Sequence, residues 1–377
     1  TRRSSDLAVK NGKVFYNKSF GYHTYDEKKS VGPDDLYDLA SITKIAATTL
    51  SVMKLYQEGK IDIDAPLKRY LPYLQGTDKG NLVIRELMAH QSGLQAWIPY
   101  FLFTLDEKGQ PDPKIYSTEI SEEYPIRVAE NFYIRDDYKY ILFDSIKYSL
   151  PRENHDYKYS DLGFYLLSSM VENVTNRSFD DYVQDQFYLP LGLSTMGFKP
   201  LREFDRENIV PTEEDRYFRN QLLHGDVHDP GAAMLGGVAG HAGLFSNAND
   251  LAIMMQMLLH GGHYGGQIYI EPEIIEEFTT CQFPVYLNRR GIGFDKPLLI
   301  YEEDGPNCKS ASSASFGHSG FTGTYVWADP RNELIYIFLS NRIHPDASNA
   351  TIMEENIRTN IHQAIYDALQ LEDSDIE

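Results

Sequence analysis

The chain has 377 residues, of which 42% are hydrophobic and 24% charged, enough to build a core across two average domains or one large interleaved one. Its formal net charge of −20, with no cluster of Lys and Arg, excludes a nucleic-acid surface, because phosphate needs concentrated cations. No apolar run approaches the roughly 18 residues that cross a bilayer, and the opening Thr1-Arg2-Arg3-Ser4-Ser5-Asp6 has no apolar signal-peptide core.

Leu7 and Val9, then Val14 and Tyr16, alternate on either side of Asn11-Gly12, the strongest short-range hairpin signal. The chain thus starts almost inside a strand and reads as a piece of a longer protein, fused to something upstream. Extended Leu36-Tyr37-Asp38-Leu39-Ala40 leads into a helical pattern from Ser41 to Gly59, with Ile45, Thr49, Val52 and Tyr56 on one stripe. Further helices are expected at 83–90, 161–175, 178–187 and 249–260, the last behind the capping side chains of Asn247 to Asp250. Region 97–158 has weak periodicity and much Tyr, Asp and Lys, and reads as an insertion. Strands return at 313–318, 322–328 and 333–340, and a helix closes the chain over 351–370. The expected fold is α/β (α+β): an antiparallel sheet built from both termini (1–40 and 285–377) and flanked by helices, with a mostly helical domain (41–284) inserted between. Cys281 and Cys308 suit neither a disulfide scaffold nor a zinc site, and form one bridge or two free thiols.

Ser41-Ile42-Thr43-Lys44 fits S-x-x-K, in which a hydroxyl and an amine share one helix face and can exchange a proton. Ser51-Val52-Met53-Lys54 fits it too. Ser41 is preferred because it stands where the chain enters the helix, so its alkoxide meets the positive helix end; Ser51 lies mid-helix. Alone, Ser41 reads equally well as a helix cap. Tyr159-Ser160-Asp161 then opens a later helix, and a tyrosine near a lysine can act as a base. Gly317-His318-Ser319-Gly320 ends a strand of small residues, against whose edge a substrate can lie. His241-Ala242-Gly243 and His260-Gly261-Gly262 repeat the H-x-G pattern, but not on a strand.

Together these residues resemble the serine β-lactamase-like family of class C β-lactamases, penicillin-binding proteins, D-alanyl-D-alanine carboxypeptidases and esterases. Its S-x-x-K, Y-x-N and K/H-x-G motifs occur in order as Ser41-Lys44, Tyr159-Asp161 and His318-Gly320. Leu67-Lys68-Arg69-Tyr70-Leu71-Pro72 and Leu87-Met88-Ala89-His90-Gln91-Ser92-Gly93-Leu94 resemble flanking family segments, and the similarity spans about residues 6–370. The stretches 225–229 and 236–246 resemble a type 4B penicillin-binding protein and modules that follow a family 3 glycoside hydrolase.

The resemblance implies a β-lactamase/transpeptidase-like fold and an acyl-enzyme on Ser41. Lys44 and Tyr159 would move its proton, and the backbone amides of Ser41 and Phe321 would form the oxyanion hole. Asp161, His318, Ser319, Gly320 and His241 would meet the substrate, a small molecule or a peptidoglycan-derived peptide in the periplasm or envelope. Asp161 for Asn and His318 for Lys speak against a potent β-lactamase, leaving a D-alanyl carboxypeptidase-like or esterase activity. The alternative is a binding module with reduced turnover. Glycoside hydrolysis finds no distinctive carboxylate pair.

Asp161 near Lys44 should favour its ammonium and shift the base role toward Tyr159. An unperturbed His318 would titrate near pH ~6.5 and lose its pull on an anion as pH rises. No cofactor is expected. A metal site from His224, Asp226, His228, Asp229 and His241 is set aside, because the spacing gives no helical ligand pair. Arg152, Arg216, Arg219 and Arg342 are possible carboxylate partners, with none preferred.

Overall fold

The computed structural model describes residues 3–370. Strand β1 (Ser4–Lys10) turns through Asn11 and Gly12, both at positive φ, into β2 (Lys13–Phe20), as the Asn-Gly signal predicts. β1 also pairs with β5 (Leu334–Ser340), so the sheet order is β3 (Phe316–Ser319), β4 (Tyr325–Asp329), β5, β1, β2, all antiparallel. Both ends of the chain therefore build one sheet.

Strand alternation gives that sheet two apolar faces. Leu7, Val9, Val326, Ile335, Ile337 and Leu339 join the main core with helices α1 (Leu50–Gln57), α2 (Leu162–Thr175) and α3 (Ala248–Leu259). Ala8, Trp327, Tyr336 and Phe338 pack on the other face against Ile365 and Tyr366 of α4 (Ile357–Leu369). Each fully buried Ile or Leu here contributes about 1.5–3 kcal/mol. Register puts His318 opposite Val326, and both side chains are buried. Gly317 lies opposite Trp327, where a Cβ would come within 2.1 Å of the Val326 carbonyl.

The expected elements are present, with local departures that have identifiable causes. The segment predicted as one helix from Ser41 is a 3-10 turn (Ala40–Ile42), a π-helical stretch (Lys44–Thr49) and then α1. Within the π stretch the Ala46 carbonyl accepts from the Tyr188 hydroxyl at 2.9 Å, and Thr48 donates to the Gly240 carbonyl at 2.6 Å. Strand β4 starts later than expected because residues 320–324 form a tight turn, in which the Gly320 amide donates to the Thr324 carbonyl at 2.8 Å and the Gly323 amide to the Gly320 carbonyl at 3.0 Å. The closing helix is broken at Asn356, which sits at φ 48°.

The Tyr-rich region 97–158 holds a three-stranded antiparallel sheet (Tyr116–Ser117, Phe132–Ile134, Ile126–Ala129) and a helix (Tyr138–Tyr148). Strands this short give no period-2 signal. Cys281 and Cys308 are both free thiols. No helix among the described residues is long and apolar enough to cross a membrane.

Candidate active site

The chain reaches Ser41 through a strained backbone. Ala40 adopts φ 46°, in the left-handed region that L-residues avoid, and the Asp38 carboxylate secures it by accepting the Ala40 amide at 2.8 Å. The other Asp38 oxygen accepts the His228 amide at 2.7 Å, which ties the nucleophile turn to the Gly-rich loop. Thr322 and Thr324 tie it to the β3–β4 turn as well. Gly320 sits in that turn because a Cβ there would lie 2.5 Å from the Leu39 carbonyl and 2.1 Å from Thr324 Oγ1. The third motif thus needs glycine to bring its turn against Ser41. Ser41 and Phe321 both line one cleft.

Lys44 is completely buried, and its Nζ donates to Ser41 Oγ at 2.9 Å and to the His241 carbonyl at 3.2 Å. Asp161 Oδ1 stands 2.6 Å from the same nitrogen, and the Tyr159 ring centre 5.0 Å from it. Burial works against the ammonium, but Asp161 and Tyr159 outweigh it and hold Lys44 above the ordinary lysine range. Lys44 is therefore charged at neutral pH, as the Asp161 substitution implies. For Tyr159, burial outweighs the pull of Lys44 and Arg290, so its phenol is raised and stays protonated. A tyrosinate base, the reading drawn from sequence, does not fit this resting site.

Ser51 is buried in the helix, where its hydroxyl donates to the Ala47 carbonyl at 2.9 Å, and Lys54 reaches the Tyr269 carbonyl. Neither residue lines the cleft. Of the two S-x-x-K matches, only the first opens to it.

His318 differs from its sequence expectation. Its Nε2 accepts from Arg290 Nη1 at 3.2 Å, and its Nδ1–H donates to the Ser319 carbonyl at 2.7 Å. Burial, Arg290 and Lys44 push the imidazole down to about 3, so it stays neutral through the physiological range. The charge that faces the cleft there is Arg290. This guanidinium is buried, pairs with Asp295 at 3.2 Å and lies 5.3 Å from the Tyr159 ring centre. Burial disfavours it, but Asp295 and the neighbouring tyrosines outweigh that cost.

Arg290 carries no motif and was missed in the sequence. The four arginines considered there have other partners: Arg219 is buried on Asp215, Arg216 pairs with Glu214, Arg152 with Asp156, and Arg342 stacks on Phe321. His90 was also missed as a site residue, although its segment carries family likeness. Its ring packs 4.4 Å from that of Tyr159, and its Nδ1 accepts the Ser160 amide at 3.2 Å, which fixes the second motif.

The cleft is about 740 Å³ and strongly aromatic, with Trp97, Tyr100, Phe101, Tyr157, Tyr165 and Tyr217 on its walls. Ser319 and the expected substrate contacts Asp161, His241 and His318 line it too. Of the residues weighed for a metal, only His241 and Asp229 pair with each other, and the rest go to other partners. His224 bonds the Ile209 carbonyl, Asp226 pairs with Arg127, His228 with Glu213, and His241 with Asp229.

The family model "Beta-lactamase" matches residues 7–355. A protein of Escherichia coli (strain K12) named "Putative D-alanyl-D-alanine carboxypeptidase" is 32% identical over 367 residues, covering 90% of this chain and 78% of its own length. The octameric penicillin-binding protein homologue from Pyrococcus abyssi superposes with a TM-score of 0.66 at 20% identity, over 98% of this chain and 74% of that one. EstCE1, a hydrolase with promiscuous acyltransferase activity, gives a TM-score of 0.68 at 18% identity, over 96% and 93% of the two chains. At such identities the two structures speak for the fold alone.

Proposed function

The chain belongs to the β-lactamase family of serine hydrolases, and from that premise we propose that it works through an acyl-enzyme on Ser41 and cleaves peptides ending in a D-alanyl carboxylate. The observation that carries this reading is the 2.9 Å contact of Lys44 Nζ with Ser41 Oγ in a cleft whose buried cation is Arg290. A permanent guanidinium favours an anionic substrate end over a neutral ester.

The protonation states suggest how the proton moves. Lys44 enters as an ammonium and stabilises negative charge growing on Ser41 Oγ. Tyr159 enters as a phenol, so it serves best as a relay. It takes the Ser41 proton as it gives its own to the departing nitrogen, while the Oγ–C bond forms and the C–N bond breaks. Water then takes the place of the leaving group and the same relay runs in reverse. Such a substrate belongs to the cell envelope, and we place the activity there.

A three-substrate comparison tests the reading. Nα-acetyl-Lys-D-Ala-D-Ala should give D-alanine with the highest kcat/KM, a short-chain nitrophenyl ester should follow, and a chromogenic cephalosporin should be slowest. Ester turnover without D-alanine release would defeat the carboxypeptidase assignment and leave an esterase.

A further inference from the structure

The cleft has a second charged wall that the Ser41 chemistry does not use. Asp229 lines it, with its side chain 33% exposed. Its Oδ1 accepts from His241 Nε2 at 2.8 Å and from the Ala232 amide at 2.7 Å, which leaves Oδ2 to the cleft. His241 Nδ1 is buried and has no hydrogen-bond partner among the described residues. Burial alone would raise the Asp229 carboxyl, but the electrostatic pull of His241, together with the bonds from His241 and Ala232, outweighs it and holds the carboxyl below the ordinary carboxylate range.

A second observation points to the same place. The Tyr100 hydroxyl is buried, has no partner among the described residues, and lies within the field of Asp229 on the same cleft. It can accept an N–H. Trp97, Phe101 and Tyr165 supply aromatic faces, and Tyr165 is stacked on His241 at 4.0 Å between ring centres. Rings around a carboxylate are the chemistry that holds an ammonium.

The two charged walls are distinct. Arg290 meets the strand at His318, before Gly320. Asp229 follows His228, whose ring stacks on Phe321, after Gly320. From the open Asp229 oxygen, the unpartnered Tyr100 hydroxyl and these rings, we propose that this wall is a subsite for an ammonium group of the substrate, on different residues from those that meet its carboxylate at Arg290. The proposal rests on the cleft being the substrate site of Ser41, and it narrows the substrate class to acyl peptides with a free side-chain or terminal amine.

Binding without turnover tests it. The Ser41→Ala protein is titrated calorimetrically at neutral pH with Nα-acetyl-Lys-D-Ala-D-Ala and with the same peptide acetylated on Nε as well. The free amine should bind about tenfold more tightly. Adding Asp229→Asn or Tyr100→Phe should cut that preference to below about threefold, and the tyrosine change keeps the ring should the aspartate variant not fold. Equal affinity of the two peptides for Ser41→Ala, or a preference unchanged in both variants, overturns the subsite. D-alanine release by the unmodified protein is read separately. An amine preference in binding without any D-alanine release would sink the carboxypeptidase reading and uphold the subsite.

Discussion

Lys44→Ala will slow acylation of Ser41 by about a thousandfold at neutral pH. The expectation follows from its position: its Nζ touches Ser41 Oγ, the His241 carbonyl and Asp161 together, and the side chain has no exposure to solvent. No water-borne cation replaces it. Its loss also leaves Asp161 as an unpaired carboxylate near the developing alkoxide, which adds repulsion to the missing stabilisation. Tyr159→Phe should cost about a hundredfold, because the relay loses its hydroxyl while the ring still packs on His90. If the two residues serve one proton path, the double variant will be little worse than Lys44→Ala. Stopped-flow acylation by a fluorescent penicillin gives all three rates, and losses that multiply would show two independent routes.

Arg290→Gln will lower kcat/KM for the D-alanyl peptide by about ten- to a hundredfold and leave a neutral ester much less affected. Arg289 stays on Asp295 at 2.9 Å in that variant, so the carboxylate keeps a partner and the fold should survive. The same site fixes a pH dependence. A histidine with a depressed pKa takes up its proton only when pH falls through the lowered value. His318, pushed down to about 3, therefore stays neutral from about pH 5 upward. The ratio of kcat/KM for peptide over ester should thus be flat from about pH 5 to 9. A ratio that falls through pH ~6.5, as an unperturbed His318 would give, means that the imidazole and not Arg290 reads the substrate charge.

Much of this site was legible because its chemistry is tied to local pattern. Ser41 and Lys44 share a helical turn, Tyr159 and Asp161 precede a clear helix, and His318 to Gly320 end a strand, so type, order and spacing were enough to select them. What depended on tertiary packing was not legible. Arg290 lies in a loop with no periodicity, and only the fold sets it against His318 and Tyr159. The neutral state of His318 follows from that same neighbour. Asp229 was visible in the Gly-rich stretch, but its bond to His241 and its place on the cleft wall required the loop to be folded. The sheet was recognisable because hairpin and strand alternation are local signals. The π-helical stretch was hidden because the Tyr188 hydroxyl on Ala46 comes from a remote residue.

The account stands most directly on which serine is acylated. Trypsin separates the two S-x-x-K matches, since cleavage after Lys44 leaves Ser41 in the peptide 30–44 and Ser51 in 45–54. After brief exposure to a fluorophosphonate or a penicillin, mass spectrometry should find one adduct per chain, on peptide 30–44, with fragmentation placing it on Ser41 and not Ser30. An adduct on peptide 45–54, or full labelling that survives in Ser41→Ala, would contradict the assignment of Ser41 as the nucleophile.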